Sequence, residues 1–121
     1  MQALLGKSVL IVEDNVLIAD DLKEALAEEG AAVVGPVYET EKALEALAQA
    51  HPDCAILDVF MGAGTTATVA TTLNDMGVPY VVVSGYQHDW IPKPMQAAPY
   101  IAKPYGYEEL INAVWKALQA G

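Results

Sequence analysis

Short aliphatic runs recur along the chain at intervals of about twenty residues, and the stretches between most of them carry apolar residues at helical rather than alternating spacing. The first run, Ser8 to Val12, is continuous in β-branched and aliphatic residues, as a strand buried on both faces of a parallel sheet requires. It stops at Glu13-Asp14-Asn15. Beyond it, Ile18, Leu22, Ala25, Leu26 and Glu29 fall at helical spacing, with Asn15 placed to cap the first turn and Gly30 to end the last. Residues 32–37 read as a second strand, and Gly35-Pro36 near its end argues for an edge position, where a missing backbone donor is tolerated. A second helix, from about Thr40 to Ala50, presents Ala43, Leu44, Leu47 and Ala48 on one side and Glu39, Glu41, Lys42 and Glu45 largely to water.

Pro52-Asp53 turns the chain into a third strand, Cys54 to Leu57, which ends at Asp58. A weaker helix follows over about Thr65 to Met76: its threonines lower helicity while Val69, Leu73 and Met76 supply an apolar stripe. Tyr80 to Val83 is the fourth strand, ending at Ser84-Gly85, and Tyr100 to Ala102 a short fifth, ending at Lys103. Between them, Pro92, Pro94 and Pro99 limit any helix to a short, interrupted one. A last helix is introduced by Gly106-Tyr107 and Glu108-Glu109, with Leu110, Ile111, Val114 and Leu118 on its inner side. Strands alternating with helices predict an α/β fold, an open five-stranded parallel sheet with helices on both faces and an irregular fourth helix. Right-handed crossovers favour the flavodoxin-like order 2-1-3-4-5, whose reversal point lies between the first and third strands.

At 121 residues and 54% hydrophobic content, the chain suits one domain spanning 1–121, with no separate effector domain expected. No apolar run is long enough for a membrane span and the N-terminus lacks a signal-peptide pattern, so a soluble, cytoplasmic protein with no membrane partner is expected. The single cysteine, Cys54, lies in a buried strand and reads as a core residue rather than a metal ligand. Sixteen acidic residues against six basic ones give a formal charge of −10, which disfavours direct nucleic-acid binding.

Strand order matters for chemistry because the carboxyl ends of parallel strands lie at one rim. Glu13, Asp14, Asp58, Ser84 and Lys103 all stand at such ends. Two or three carboxylates with room for water suit Mg2+. Asp58 is then placed to act as a nucleophile toward a phosphoryl group, with the metal and Lys103 offsetting charge and the Ser84 hydroxyl donating to a phosphoryl oxygen. Each residue alone has a blander reading as a turn, cap or loop residue; their joint placement does not.

These residues resemble the receiver domains of bacterial two-component response regulators. The likeness runs through Val9-Leu-Ile-Val-Glu-Asp-Asn15, Leu57-Asp58-Val59, Val82-Val-Ser-Gly85 and Tyr100-Ile-Ala-Lys-Pro104, in order and over essentially the whole chain. The resemblance implies a phosphoacceptor switch rather than an enzyme: Asp58 receives phosphate from a sensor histidine kinase or histidine phosphotransferase, and an unknown output protein reads the result. It also implies that Glu13, Asp14, Asp58 and the backbone carbonyl of Phe60 hold Mg2+, that Lys103 pairs with Asp58, and that Ser84 and Tyr100 form the switch pair. The Lys103-Pro104 peptide is expected to be cis. Val78-Pro-Tyr-Val-Val-Val-Ser-Gly-Tyr86 is similar to a stand-alone subgroup with a Phe-Ala-Thr-Gly-Tyr run, although Val82-Val83-Ser84 replaces Phe-Ala-Thr.

The chain departs from the family pattern at Met61-Gly62, where Met-Pro is common, at the bulky Phe60, and in the proline-rich 87–99 segment. Trp90 in that segment is expected to plug the core rather than anchor a partner, while Trp115 and Tyr105 are open to either role. His51 and His88 are expected at the surface or in caps. The competing functions are a receiver-like binding module that is not phosphorylated, and a small metal-dependent phosphohydrolase. Gly62-Ala-Gly-Thr-Thr66 lacks the lysine of a nucleotide-binding loop and reads as a turn.

Overall fold

In the computed structural model, which describes residues 2–62 and 64–120, the elements follow the order read from the hydrophobic pattern. Strand β1 (Ser8–Val12) leads into helix α1 (Val16–Glu28), β2 (Ala32–Val37), α2 (Thr40–Gln49) and β3 (Cys54–Asp58). A two-residue hairpin, β4 (Phe60–Met61) and β5 (Gly64–Thr65), precedes α3 (Ala67–Met76) and β6 (Tyr80–Ser84). Two 3-10 turns, His88–Trp90 and Lys93–Met95, lead to β7 (Tyr100–Ala102) and α4 (Tyr107–Ala120). The main sheet is parallel throughout, in the order β2-β1-β3-β6-β7. That is the expected 2-1-3-4-5 arrangement of the five main strands.

Alternation along the buried strands divides the apolar residues between two cores. Val9, Ile11, Cys54, Ile56, Val81 and Val83 face α1 and α4, where Leu22, Leu26, Leu110 and Val114 meet them. Leu10, Val12, Ala55, Leu57 and Val82 face α2, α3 and the irregular segment, represented by Leu47, Leu73, Ile91 and Met95. The ends of α1 are set as its sequence predicts. Asn15 Oδ1 accepts from the Ile18 amide at 3.1 Å. Gly30, at φ +91°, lets its own amide and that of Ala31 return to Ala27 and Leu26. A side chain there would also strike Leu5, whose Cα lies 2.9 Å from the position of an added Cβ. Burial of the Cys54 thiol pushes its pKa up to about 12, which keeps it an inert core group.

Three expectations are corrected. Helix α3 begins at Ala67 rather than Thr65, because Phe60 pairs with Thr65 and Met61 with Gly64, and the Thr66 hydroxyl bonds back to the Asp58 carbonyl at 2.8 Å. In α2, Ala48 is exposed and the half-buried Ala46 packs against the core in its place. Trp90 does not plug the core: it is 66% exposed. The prolines cut the segment into single turns, and these send Ile91 and Met95 inward, leaving Trp90 on the outside of its turn.

Candidate functional site

The registers of the strands build the site. Val12 is paired with Leu57, so the next residue on each, Glu13 and Asp58, stand side by side at the rim. Asp58 is paired with Val83 and Ser84 with Ala102, which brings Ser84 and Lys103 to the same level. The Lys103 amide donates to the Ser84 carbonyl at 2.8 Å, and the Lys103-Pro104 peptide is cis. Lys103 Nζ then lies 3.2 Å from Asp58 Oδ2 and 3.1 Å from Glu13 Oε2. Carboxylate oxygens of Glu13, Asp14 and Asp58 all lie within 4.8 Å of one another.

Glu13 and Asp58 are buried, whereas Asp14 is exposed. Burial, reinforced by the charge of Glu13 and opposed by Lys103, pushes Asp58 up to about 7. Burial alone would lower Lys103, but Asp58 and Glu13 outweigh it and its pKa rises. Three carboxylates therefore face one ammonium group, and the surplus negative charge is partly buried. The donor set fits a hard divalent cation. Hard carboxylate oxygens gathered this closely match the oxygen preference of Mg2+.

Ser84 is buried, and its Oγ accepts from the Tyr86 amide at 2.9 Å. The Tyr100 hydroxyl donates to the Tyr86 carbonyl, so Ser84 and Tyr100 hold opposite sides of one residue. The Tyr86 ring in turn packs on Phe60, with centroids 4.6 Å apart, and stacks on Trp90 at 6.1 Å. Phe60, half-buried, projects from the hairpin just after Asp58.

Sequence reasoning missed three participants. Thr66 anchors the loop after Asp58, as described above; the sequence placed it only where a turn meets a helix. The Gly62 amide donates to Asp14 Oδ2 at 3.1 Å, tethering the exposed carboxylate from a turn with φ +57°. Tyr86 links Ser84 and Tyr100 to the aromatic cluster. The Tyr105 hydroxyl is buried and has no hydrogen-bond partner among the described residues, and burial, followed by the charge of Glu13, pushes it up to about 12. His51 is exposed, and His88 Nε2 donates to the Gln96 carbonyl at 3.0 Å, closing the irregular segment.

The response regulator receiver domain family matches residues 9–115. Curated relatives include transcriptional regulatory protein PdtaR of Mycobacterium tuberculosis, 35% identical over 117 residues, which are 93% of this chain and 57% of that protein. Sensory transduction protein LytT of Bacillus cereus is 30% identical over 112 residues, or 89% of this chain and 46% of that one. The chain thus spans about half the length of the curated relatives it matches. Among solved structures, response regulator protein TrrA of Thermotoga maritima, in complex with Mg2+-BeF, superposes with a TM-score of 0.80 at 28% identity, covering 92% of this chain and 98% of that one. The Francisella response regulator 1452 receiver domain, at 20% identity and a TM-score of 0.82, covers 95% of this chain and 98% of that one and shares the fold.

Proposed function

The chain belongs to the response regulator receiver domain family, and from that premise we propose that it is a phosphoacceptor switch whose phosphorylation at Asp58 depends on Mg2+ and alters protein–protein binding. The observation that carries this reading is the convergence of Asp58, Lys103, Glu13 and Asp14 from the ends of three strands. Asp58 attacks the phosphorus of a phosphohistidine, a new oxygen–phosphorus bond forms, and the nitrogen–phosphorus bond breaks as the imidazole leaves with its electron pair. Lys103 stays against the carboxylate and neutralises charge as the phosphoryl group arrives. Glu13, Asp14, Asp58 and the Phe60 carbonyl would hold Mg2+, which when bound offsets the negative charge of both reactants.

Ser84 then exchanges its bond with the Tyr86 amide for one donated to a phosphoryl oxygen, and Tyr100 follows as its partner residue is released. The phosphodonor is a sensor histidine kinase or a histidine phosphotransferase. Val16 and Leu17, exposed at the start of α1 beside the site, give such a partner an apolar footing. Output passes through a protein partner of the cytoplasm. None of the helices among the described residues is long and apolar enough to cross a membrane. Two curated relatives are named transcriptional regulatory proteins, so the charge argument against nucleic acid is confined to this domain's own surface.

Incubation with Mg2+ and acetyl phosphate, or with a phosphorylated histidine kinase, should add one phosphoryl group by intact mass. Asp58→Ala should add none. A wild type that stays unmodified with every donor would leave a binding module in place of a switch, and steady release of phosphate from phosphoesters would point to a hydrolase.

A further inference from the structure

We propose that the groove between the end of α1 and the first half of α4 is a docking site for a basic amphipathic helix of a partner protein. The groove encloses about 1200 Å³ and lies outside the phosphoacceptor site; neither Asp58, Lys103 nor Ser84 lines it. Tyr107, Ile111 and Trp115, spaced four residues apart, run as one stripe along α4, and Ala25 faces them from α1. Tyr107 is 40% exposed and Trp115 43%, large aromatic surfaces of the kind that anchor protein partners.

The rim selects the occupant. Glu28 and Glu29 border the groove at the end of α1 and Glu108 and Glu109 from α4, and among the described residues no basic side chain lines it. Among the described residues none of these four glutamates is in a salt bridge; Glu29 alone is engaged, accepting from the Ala3 amide at 3.1 Å. Burial, with the nearby charges of Asp21 and Glu24, also raises the Tyr107 phenol, so the negative field extends along α1. A second copy of the chain would set four glutamates against four, and the same field repels phosphate-bearing surfaces. A helix with leucine-like side chains on one face and lysine or arginine on its flanks answers both features: its ridge covers Ile111 and Trp115, and its cations meet the glutamates and the aromatic faces.

The probe is a leucine–lysine amphipathic peptide of about 18 residues, long enough to be helical. The intact domain should bind it, by calorimetry and by Trp fluorescence, with amide shifts concentrated in residues 25–29 and 107–115. Trp115→Ala and the pair Glu108→Lys with Glu109→Lys should each weaken binding about tenfold or more, which is about 1.4 kcal/mol. A scrambled peptide of the same composition should bind correspondingly worse, and Asp58→Ala should bind as wild type, keeping this result separate from phosphorylation. Equal affinity for ordered and scrambled peptides, wild-type affinity in the groove variants, amide shifts centred on Asp58, or no binding at about 1 mM would each overturn the proposal.

Discussion

Two neighbouring parts of the rim are held together by different forces. At the tips of β1, β3 and β7, buried charge dominates, with Lys103 bridging Glu13 and Asp58 while surplus negative charge remains. Beyond β6, the segment Tyr86 to Pro99 is held by a few side-chain hydrogen bonds and by Ile91 and Met95 in the core, while Tyr86 and Trp90 stack in the open. Surplus charge sets the first region apart: three carboxylates cluster there around one ammonium group. The second rests on two buried side chains and a few hydrogen bonds, and Tyr86 connects the two regions through Ser84 and Tyr100. One rim can thus join a charge-dominated cluster to a segment held by apolar anchors without a regular helix beyond β6.

Substitutions should break this contrast in order of size. Lys103→Ala should slow phosphoryl uptake by about 100-fold, since it removes the ammonium group placed against Asp58, while far-ultraviolet circular dichroism stays unchanged. In the second region the anchors carry the stability: Met95→Ala should cost about 2–5 kcal/mol in urea unfolding. A milder result would mean that the hydrogen bonds to the Pro94 carbonyl from Asn74 and Tyr80 suffice to hold the segment.

Next in size is a pH effect in the charged region. The folded-state pKa of Asp58, about 7, lies above its ordinary value of 3.8, so the folded protein holds this proton more tightly than the unfolded chain. The contribution is therefore fully present below the unfolded value and is lost as pH rises through the folded one. Without Mg2+, stability should fall with a slope of up to about 1.4 kcal/mol per pH unit over that interval, and Asp58→Asn should flatten it. Added Mg2+ should recover about 1.4 kcal/mol at pH 8 when present at ten times its dissociation constant, seen as a higher thermal midpoint; Asp14→Ala should weaken that gain. The smallest change is expected at Trp90→Ala, within about 0.5 kcal/mol, because the ring is mostly exposed. A loss as large as that of Met95→Ala would place Trp90 among the anchors and erase the distinction.

Much of the charged region was legible in the chain, because its logic is local: Glu13-Asp14, Asp58, Ser84 and Lys103 each follow an aliphatic run, and parallel strands bring such ends together whatever the side chains between them. The aromatic region was misread at Trp90. Composition favours burying a tryptophan, yet burial there was decided by which side of a proline-limited turn faced the sheet, and that side carries Ile91 and Met95. Thr66 and Gly62 escaped notice for a related reason, since their partners, the Asp58 carbonyl and the Asp14 carboxylate, lie eight and 48 residues away.

By itself the sequence determined the strand and helix order, the edge position of β2, the ends of α1 and the residue types at the rim, because periodicity, capping and backbone donors act over a few residues. Only the tertiary structure decided that Lys103 spans two carboxylates, that Tyr86 lies between Ser84 and Tyr100, and that an aromatic stripe on α4 faces the glutamates of α1. Those relations depend on register and on the packing of elements distant in the chain, which hydrophobic spacing alone leaves open.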